Sequence, residues 1–193
     1  RAVKSVPTQI EKHLGTFKSV LDIRREVENG VIEWFQLQWP REREIFLGEK
    51  IVCPQRSRLN TFGYSNKPWY AATDVFFITK NENSTIDFRC VLGILNSKLI
   101  YTWLYLRGKR KGEALELIKT PVSEIPIMDL DAKKQAQIID IVSVLIKTPN
   151  QQAKLAELNS LIFDLYGLSS SEVKAVEDFY AAKTATSKRD TAA

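Results

Sequence analysis

The sequence is poor in the residues that most often carry out catalysis or bind metals. Its 193 residues include one histidine, two cysteines and one methionine. A serine or cysteine nucleophile activated by an imidazole would therefore have to use His13. The apolar spacing around His13 predicts a helix, and we expect this side chain to face solvent. No Cys-x-x-Cys pair, histidine cluster or glycine-rich phosphate loop is present, so the composition gives no indication of a catalytic apparatus.

The sequence also lacks the features of an exported or membrane-spanning protein. No apolar run approaches the ~18 residues that a transmembrane helix needs, and no secretory signal is present near residue 1. Cys53 and Cys90 each lie among apolar residues, which favours two reduced core thiols over a disulfide. We therefore expect a cytoplasmic protein with no membrane contact. Because the first residue is Arg1, we also expect it to be part of a longer polypeptide.

One acidic pattern is compatible with a metal-dependent nuclease, namely Asp164 followed by Glu172 and Lys174. However, Glu172 comes three residues after Ser169, which is the spacing of a capping box at a helix start. We therefore interpret Glu172 as a capping residue, and we expect no metal site in this chain.

Positive charge is present in excess, and it is unevenly distributed. The formal net charge is +5. Residues 129–193 contain 8 Lys and Arg against 9 Asp and Glu, a net charge of −1, whereas residues 1–128 contain 20 against 14, or +6. This surplus favours a polyanionic partner for the first two thirds of the chain.

The periodicity of apolar residues predicts an α+β fold. The spacing is helical up to Asn29-Gly30, which is a C-cap signal. From Val31 the pattern favours strands, and Lys50–Pro54 and Val75–Thr79 are predicted to be short buried strands. We expect these strands to form a small mixed or antiparallel β-sheet core with packed helices.

The rest of the chain is predicted to be mainly helical. The apolar run at 88–106 predicts one long helix, and the glycine-flanked cations at 107–112 predict a flexible basic loop after it. Residues 122–127 are predicted to be extended because prolines precede them and interrupt them. Helices capped first at 129–131 then continue to Tyr180 and form a C-terminal helical subdomain.

Four arginines are candidates for contact with nucleic acid bases. Arg56 and Arg58 follow the first predicted strand, which would place both on a loop at the sheet rim. There a guanidinium can bind O6 and N7 of guanine, and ion pairing with nearby acids is the alternative. Arg41 and Arg43 alternate with glutamates, which favours a charge-paired strand or helix start over base contact.

Further cations occur in and after the long predicted helix. Arg107, Lys109, Arg110 and Lys111 put four cations in five positions, an arrangement able to follow a phosphate backbone. A solvated helix end is the alternative. Lys98 and the two polar residues before it interrupt an apolar helix, so they either cap a break or face a polar group such as a phosphate.

The segment at 61–70 is predicted to be an exposed aromatic loop or hairpin that also carries Asn66 and Lys67. Its aromatic residues Tyr64, Trp69 and Tyr70 could stack on an extruded base. Packing at the rim of a hairpin is the alternative, because large aromatic side chains usually bury part of their surface.

Six short phrases occur in order along the chain. They are Gln38-Trp39-Pro40-Arg41, Lys50-Ile51-Val52-Cys53-Pro54-Gln55-Arg56-Ser57, the run from Trp69-Tyr70 to Phe77-Ile78-Thr79, Gly93-Ile94-Leu95-Asn96-Ser97-Lys98, Gly108-Lys109-Arg110-Lys111-Gly112 and Ser123-Glu124-Ile125-Pro126-Ile127. Together they resemble the C-terminal specificity domain of TaqI-like adenine DNA methyltransferases, a domain that also ends many fused restriction-modification enzymes. The resemblance covers roughly residues 7–179, and it depends on the order and spacing of all six phrases.

The resemblance implies a division of labour between two domains of one polypeptide. An N-terminal methyltransferase domain would bind S-adenosylmethionine and methylate N6 of adenine, with Mg²⁺ also needed if a nuclease is fused. The present chain has no Asn-Pro-Pro-Tyr or Asp-Pro-Pro-Tyr signature of adenine methylation, so no catalytic residue and no cofactor is assigned to it. Its implied partner is double-stranded DNA, whose target adenine would be flipped into the other domain.

The resemblance and the residue patterns together give a hypothesis for each part of the chain. We expect a lead-in helix at 1–30 from the missing catalytic domain, a target recognition core at 31–128, a helical subdomain at 129–182 that braces the sheet, and a frayed tail at 183–193. Base readout is assigned to Arg41, Arg43, Arg56, Ser57, Arg58, Tyr64 and Asn66. Phosphate contacts are assigned to Lys67, Lys98, Arg107, Lys109, Arg110 and Lys111.

Two other interpretations fit the same sequence. Half of a type I restriction specificity subunit would share the plan of a recognition domain followed by helices. A protein-interaction module could instead use the helices at 129–180 to bind a partner. A stand-alone enzyme is the least expected option, because the chain shows no catalytic motif.

Overall fold

Short helices and two small antiparallel sheets make up the protein in a computed structural model, which describes residues 6–81 and 83–185. This is the predicted α+β class. The helices are α1 (Thr8–Leu14), α2 (Lys18–Asp22), α3 (Arg25–Glu28), α4 (Glu44–Leu47), α5 (Phe88–Leu95), α6 (Lys98–Arg107), α7 (Lys119–Ser123), α8 (Ala132–Lys147), α9 (Gln152–Leu165) and α10 (Ser170–Ala185). The strands are β1 (Lys50–Pro54), β2 (Arg56–Ser57), β3 (Gly63–Ser65), β4 (Val75–Thr79), β5 (Lys109–Lys111) and β6 (Ala114–Glu116). Within the described ranges, no helix has both the length and the apolar character needed to cross a membrane.

The described chain separates into two compact parts, residues 6–42 and residues 43–185. In the first part, the predicted single helix is instead three short helices, with a 3-10 turn between α1 and α2 that starts at Gly15. Glycine lowers helix propensity, and Arg24 adopts an extended conformation that separates α2 from α3. The predicted C-cap at Gly30 is confirmed by its φ of +68°.

Strand structure begins later than the sequence pattern predicts. Among the described residues, turns and α4 occupy 31–49, and the first strand starts at Lys50. The guanidinium of Arg24 donates hydrogen bonds to the carbonyl oxygens of Trp34, at 2.8 Å, and Gln36, at 3.1 Å. These backbone groups therefore have partners without a neighbouring strand.

The first sheet confirms the two predicted buried strands. β1 lies in the middle, with β3 and β4 antiparallel on either side of it. Ile51 and Cys53 alternate along β1 and are both buried. Cys53 and Cys90 are free buried cysteines, as predicted, and burial raises their pKa values to about 12 and about 11. Both thiols therefore stay protonated in the core.

The second sheet replaces the predicted flexible basic loop. β5 and β6 form a hairpin, and β2 pairs with the other edge of β6. Gly112 has a φ of +61°, the left-handed conformation that a tight hairpin turn requires and that glycine adopts without strain. The loop prediction was wrong because the strand pairing depends on residues at both ends of the turn.

The predicted long helix is also divided in two. α5 ends at Leu95, and α6 begins after Ser97, whose side chain accepts a hydrogen bond from the backbone N–H of Ile100. Serine at this position satisfies a helix N-terminus, so the break has a local cause. The interpretation of the polar residues as caps of a break is confirmed for Ser97.

The C-terminal helices pack on α5 and α6. A Cβ atom at Gly93 of α5 would come within 2.9 Å of Val142 on α8, so the two helices approach each other closely. Rings of α6 and α10 meet edge to face, with Tyr101 and Tyr180 at a centroid distance of 5.0 Å. The C-terminal helices thus brace mainly the helical layer, whereas α5 contacts β1 and β3.

Two predicted helix starts are confirmed and two local predictions are corrected. Asp131 caps α8 by accepting a hydrogen bond from the N–H of Lys134 at 2.8 Å, and Ser169 and Glu172 form the predicted capping box. Part of the segment predicted to be extended belongs instead to α7, because a proline is compatible with the first turn of a helix. α10 runs to Ala185, past its predicted end, and the remainder of the expected frayed tail lies outside the described residues.

One hydrophobic core joins both sheets to the helices of the second part. It contains β1, β6 and the inner faces of α5, α6, α8 and α9. Its most buried side chains are Ile51, Ile94, Ile100, Leu104, Leu115, Leu117, Ile138 and Ile162. The second sheet is therefore attached to this core through β6.

Candidate nucleic-acid interface

The register of the second sheet collects cations from two distant segments on one face. Arg56 and Lys109 both pair with Glu116, from opposite sides of β6. Directly paired residues project to the same face of a sheet, and so do residues two apart in one strand. Lys111 therefore lies on this face as well. We call Arg56, Lys109 and Lys111 the cationic face.

The partners of these three side chains differ. Arg56 donates a hydrogen bond from Nε to Glu116 Oε1 at 3.1 Å, and its two terminal nitrogens form no hydrogen bond with a described residue. The side chains of Lys109 and Lys111 are exposed, and within residues 6–81 and 83–185 neither side chain forms an ion pair or a hydrogen bond. The face consequently carries three cations and one carboxylate.

Arg110 lies on the opposite face of the same hairpin. It pairs with Leu115, which is fully buried, and its guanidinium carbon lies 4.1 Å from the ring centroid of Tyr105. The Tyr105 hydroxyl donates to Glu113 at 2.8 Å, and Lys183 lies over the same ring. The sequence groups Arg110 with its two neighbouring lysines, but the structure separates it from them.

The segment after β2, which carries Arg58, is anchored by two asparagines. Asn60 is buried and donates hydrogen bonds to the carbonyls of Leu95 and Ser97 at 2.6 and 2.9 Å. Asn96 exchanges two hydrogen bonds with the backbone of Phe62, at 3.0 and 2.9 Å. The polar residues at the helix break thus position the chain that follows Arg56 and Ser57, a role that the sequence did not indicate.

Lys98 and Arg107 occupy opposite ends of α6. Lys98 Nζ forms an ion pair with Glu177 at 2.7 Å and lies 5.7 Å from the ring centroid of Tyr180. Lys98 therefore has internal partners on α10, which the sequence did not reveal. Arg107 is exposed in the last turn of α6, directly before the hairpin.

The predicted aromatic loop packs at the rim of the first sheet. Tyr70 stacks on Phe46 with a centroid distance of 5.0 Å, Trp69 lies 5.9 Å from Phe77, and Phe46 meets Phe77 edge to face at 5.3 Å. Tyr70 and Trp69 nevertheless remain 62% and 42% exposed. We call these four residues the aromatic cluster, and its outer surface is open to a ligand.

Tyr64 has a different environment from the other aromatic residues. Its hydroxyl donates to Glu49 at 2.8 Å, and Lys80 forms an ion pair with the same carboxylate at 2.8 Å. Burial and the hydrogen bond to Glu49 raise the pKa of Tyr64 to about 12. Burial acts to raise the pKa of Glu49, but the hydrogen bonds from Lys80 and Tyr64 outweigh it and lower that pKa below its ordinary value. The polar end of Tyr64 is therefore occupied within the protein.

The remaining predicted site residues lie at three places. Asn66 and Lys67 are exposed on the loop after β3, and this loop is joined to α4 by a hydrogen bond from the Trp69 N–H to the Phe46 carbonyl at 3.0 Å. Arg43 immediately precedes α4 in the second compact part, which fits the helix-start interpretation. Arg41 belongs to the first part of the chain.

The described residues include no group of three histidine, cysteine, aspartate or glutamate side chains placed to bind a metal ion. His13 is exposed on α1, as expected. Two of the three residues of the acidic pattern have other contacts, since Glu172 caps α10 and Lys174 pairs with Asp178 at 2.6 Å.

Comparison with known proteins identifies relatives of this chain. The type II methyltransferase M.HincII of Haemophilus influenzae is 28% identical over 118 residues, which cover 58% of this chain and 23% of the relative. M.HindII, also from Haemophilus influenzae, is 28% identical over 118 residues, covering 58% of the chain and 22% of the relative. M.BanIII of Aneurinibacillus aneurinilyticus is 25% identical over 161 residues, covering 81% of the chain and 28% of the relative. The chain thus spans about a quarter of the length of the curated relatives it matches.

A family model provides the broader assignment. The model of the TaqI-like C-terminal specificity domain matches residues 10–127, which is more than half of the chain. The matched range includes both sheets, the hairpin, α5 and α6. The chain therefore belongs to the TaqI-like C-terminal specificity domain family.

Proposed function

We propose that this chain is the sequence-specific duplex DNA recognition domain of an N6-adenine DNA methyltransferase or of a fused restriction-modification enzyme. In this proposal, an N-terminal domain of the same polypeptide binds S-adenosylmethionine and transfers the methyl group, while the present domain selects the target. Family membership supports recognition, and the names of the relatives support methyl transfer as the activity of the whole protein.

The cationic face is the observation that carries the proposal. Lys109 and Lys111 are separated by about 7 Å along one strand, since two residues of β-strand span this distance. Both side chains are exposed, so they can neutralise neighbouring phosphates without losing an internal partner. Arg56 lies two strands away on the same face, with its terminal nitrogens available for a base edge.

The remaining candidates divide according to their partners. Arg107, Lys67 and Asn66 are exposed and remain candidates for DNA contact, as do Ser57 and Arg58 beside the cationic face. Lys98 and Arg110 would have to leave aromatic and acidic partners to contact a phosphate, so we assign them a supporting role instead. This assignment revises the sequence-based hypothesis for these two residues.

The salt dependence of DNA binding tests the proposal. In the intact polypeptide, Lys109→Gln with Lys111→Gln removes two charges from the cationic face, and Lys133→Gln with Lys134→Gln removes two from the exposed first turn of α8. Each lost phosphate contact lowers the slope of log affinity against log salt by about 0.9, so we expect a decrease of about 1.8 for the first pair only. The measurement is the affinity for a random-sequence duplex between 50 and 200 mM salt.

Two results would contradict the proposal. Equal slopes for both double variants would show that the cationic face does not contact phosphates. If the affinity of the wild-type protein for the duplex did not depend on salt, phosphate contacts would be excluded. That result would favour a protein-interaction module.

A further inference from the structure

Lys50 is a fully buried lysine that the proposed DNA contacts do not use. It begins β1 in the middle of the first sheet and is 0% exposed. Its Nζ donates hydrogen bonds to the carbonyl oxygens of Gly48 at 2.6 Å and Lys67 at 2.8 Å. Lys80, which directly follows β4, is instead partly exposed and paired with Glu49.

Stability alone does not account for a lysine at this position. Burial of an ammonium group removes its hydration, and carbonyl oxygens restore only part of the lost free energy. A methionine of similar length would fill the same volume without this cost. We therefore look for the function of the ammonium group in the two segments that its hydrogen bonds connect.

These hydrogen bonds connect two segments that are distant in the sequence. Gly48 follows the last residue of α4, and Lys67 lies in the loop at 66–70. The same two segments supply Phe46, Trp69 and Tyr70 of the aromatic cluster. Lys50 thus joins the two segments on the face of the sheet that also carries Phe77 of the cluster, because Phe77 pairs with Val52, two residues along β1 from Lys50.

The loop has few other ties to the sheet. The Trp69 N–H donates to the Phe46 carbonyl at 3.0 Å. The Ser65 hydroxyl donates to the Lys67 carbonyl at 3.2 Å and accepts a hydrogen bond from the Lys67 N–H at 3.3 Å. Asn66 and Lys67 extend from this loop toward solvent. Because an exposed loop with few buried contacts opens easily, a buried donor at its centre would determine how well these side chains are positioned.

We propose that Lys50 is a positioning residue for target recognition, which holds α4 and the loop at 66–70 together so that Asn66, Lys67 and the aromatic cluster present one fixed surface to duplex DNA. The proposal rests on the proposed function for its DNA readout. The physical part, the attachment of the loop by Lys50, can be measured without DNA.

Amide hydrogen exchange tests the attachment in the intact polypeptide. In Lys50→Met, we expect the amides of Lys67 and Trp69 to exchange about tenfold faster relative to the amides of β4, because the hydrogen bond that closes the loop is lost. Lys80→Met is the matched control, since it also removes a lysine ammonium, from the residue after β4, whose ion pair is with Glu49 and not with the loop. It should leave the exchange ratio unchanged. A uniform increase across β1, β4 and the loop would overturn the proposal.

Sequence discrimination tests the consequence for recognition. The probes are a duplex selected from a random pool by the wild-type protein and a duplex from the unselected pool. We expect Lys50→Met to lower the affinity ratio between them several-fold, with little change for the unselected duplex, because phosphate contacts do not depend on the loop alone. A merely structural residue would leave this ratio equal to that of Lys80→Met, and that result would overturn the role in recognition.

A second variant keeps the proposal testable if Lys50→Met does not fold. Ser65→Ala removes the other side-chain donor to the Lys67 carbonyl and leaves Lys50 in place. The Lys67 N–H loses its own acceptor, Ser65 Oγ, in this variant, so only the Trp69 amide is compared. If Lys50 holds the loop, the exchange of the Trp69 amide relative to the amides of β4 should change less than twofold. Release of the loop by Ser65→Ala alone would assign the attachment to Ser65 and reject it for Lys50. If the wild-type protein has no affinity for duplex DNA, the proposed function fails, whereas the exchange result still decides the attachment.

Discussion

Both small sheets carry cationic side chains, but the sheets differ in whether these side chains have hydrogen-bonding or ionic partners within the protein. In and beside the first sheet, Lys50 donates to two carbonyl oxygens, and Lys80 and Tyr64 share the carboxylate of Glu49. On one face of the second sheet, Lys109 and Lys111 project into solvent with no partner among the described residues. The first sheet is therefore internally satisfied, and the second presents unpaired charge.

This difference shows that a cation count does not locate a binding surface. A paired cation must break its existing contacts before it binds a phosphate, whereas an exposed cation loses only water and counterions. The same distinction applies within the hairpin, where Arg110 has an aromatic partner and its two neighbours do not. Three substitutions test this difference between the two sheets.

The largest effect is expected for Arg56. Arg56→Ala in the intact polypeptide should cost about 1–3 kcal/mol at one base pair of the target and relax selection there, because a bidentate contact to guanine would be lost. Binding to sequence variants of the selected duplex measures this. As a control, Glu116→Gln removes the carboxylate beside Arg56 and should strengthen binding to all sequences. Uniform weakening by Arg56→Ala would instead assign Arg56 to a phosphate.

An intermediate effect is expected for Tyr64, and on stability rather than binding. Tyr64→Phe should lower the free energy of unfolding by about 1 kcal/mol, because it removes one hydrogen bond to Glu49. Since the pKa of Glu49 is lowered in the folded state, this contribution is present above its ordinary pKa of 4.5 and is lost as the pH falls through the lowered value. Urea unfolding at several pH values measures the difference. A large loss of sequence selection in this variant would return Tyr64 to base readout.

The smallest effect is expected for Arg110. Arg110→Gln should reduce the free energy of unfolding by about 0.5–1 kcal/mol through loss of the contact with the Tyr105 ring. Its salt slope for duplex binding should equal that of the wild-type protein, in contrast to the variant that lacks Lys109 and Lys111. A decrease in slope by about one would show that Arg110 also binds a phosphate.

Much of the secondary structure could be predicted because its causes are local. β1 and β4 were found from short apolar runs, and the caps of α8 and α10 from Asp131, Ser169 and Glu172. In each case the residues that determine the structure lie within a few positions of it. A single sequence contains this information without knowledge of the tertiary fold.

The features that were missed depend on contacts between distant residues. The break between α5 and α6 is stabilised from the segment that contains Asn60 and Phe62, more than thirty residues earlier. The pairing of β2 with β6 brings together residues 60 positions apart. Ser97 supplies a local cap that the sequence indicated, but no local pattern specifies either distant contact, so the apolar run was predicted as one helix and the hairpin as a loop.

The candidate site could be predicted as a set of residues but not as a surface. Sequence reasoning selected Arg56, Lys109 and Lys111 by residue type, and the strand register then placed them on one face. It also selected Lys98. The ion pair of Lys98 with Glu177 could not be foreseen, because Glu177 lies on a helix much later in the chain. Lys50 was not selected, since a lysine at the start of a strand gives no sign that it is buried.

The turn at Gly112 and Glu113 makes the two faces of the hairpin sensitive to an inserted residue, an effect that substitutions do not produce. Lys111 pairs with Ala114, so two residues connect the strands and fix their alignment. Side chains alternate along a strand, and insertion of one residue into β5 would exchange its two sides. The guanidinium that now covers an aromatic ring would then join Arg56, and one adjacent ammonium group would turn inward. Whether a strand gains an odd or an even number of residues is thus a means, independent of amino-acid identity, by which such domains could change the target that they select.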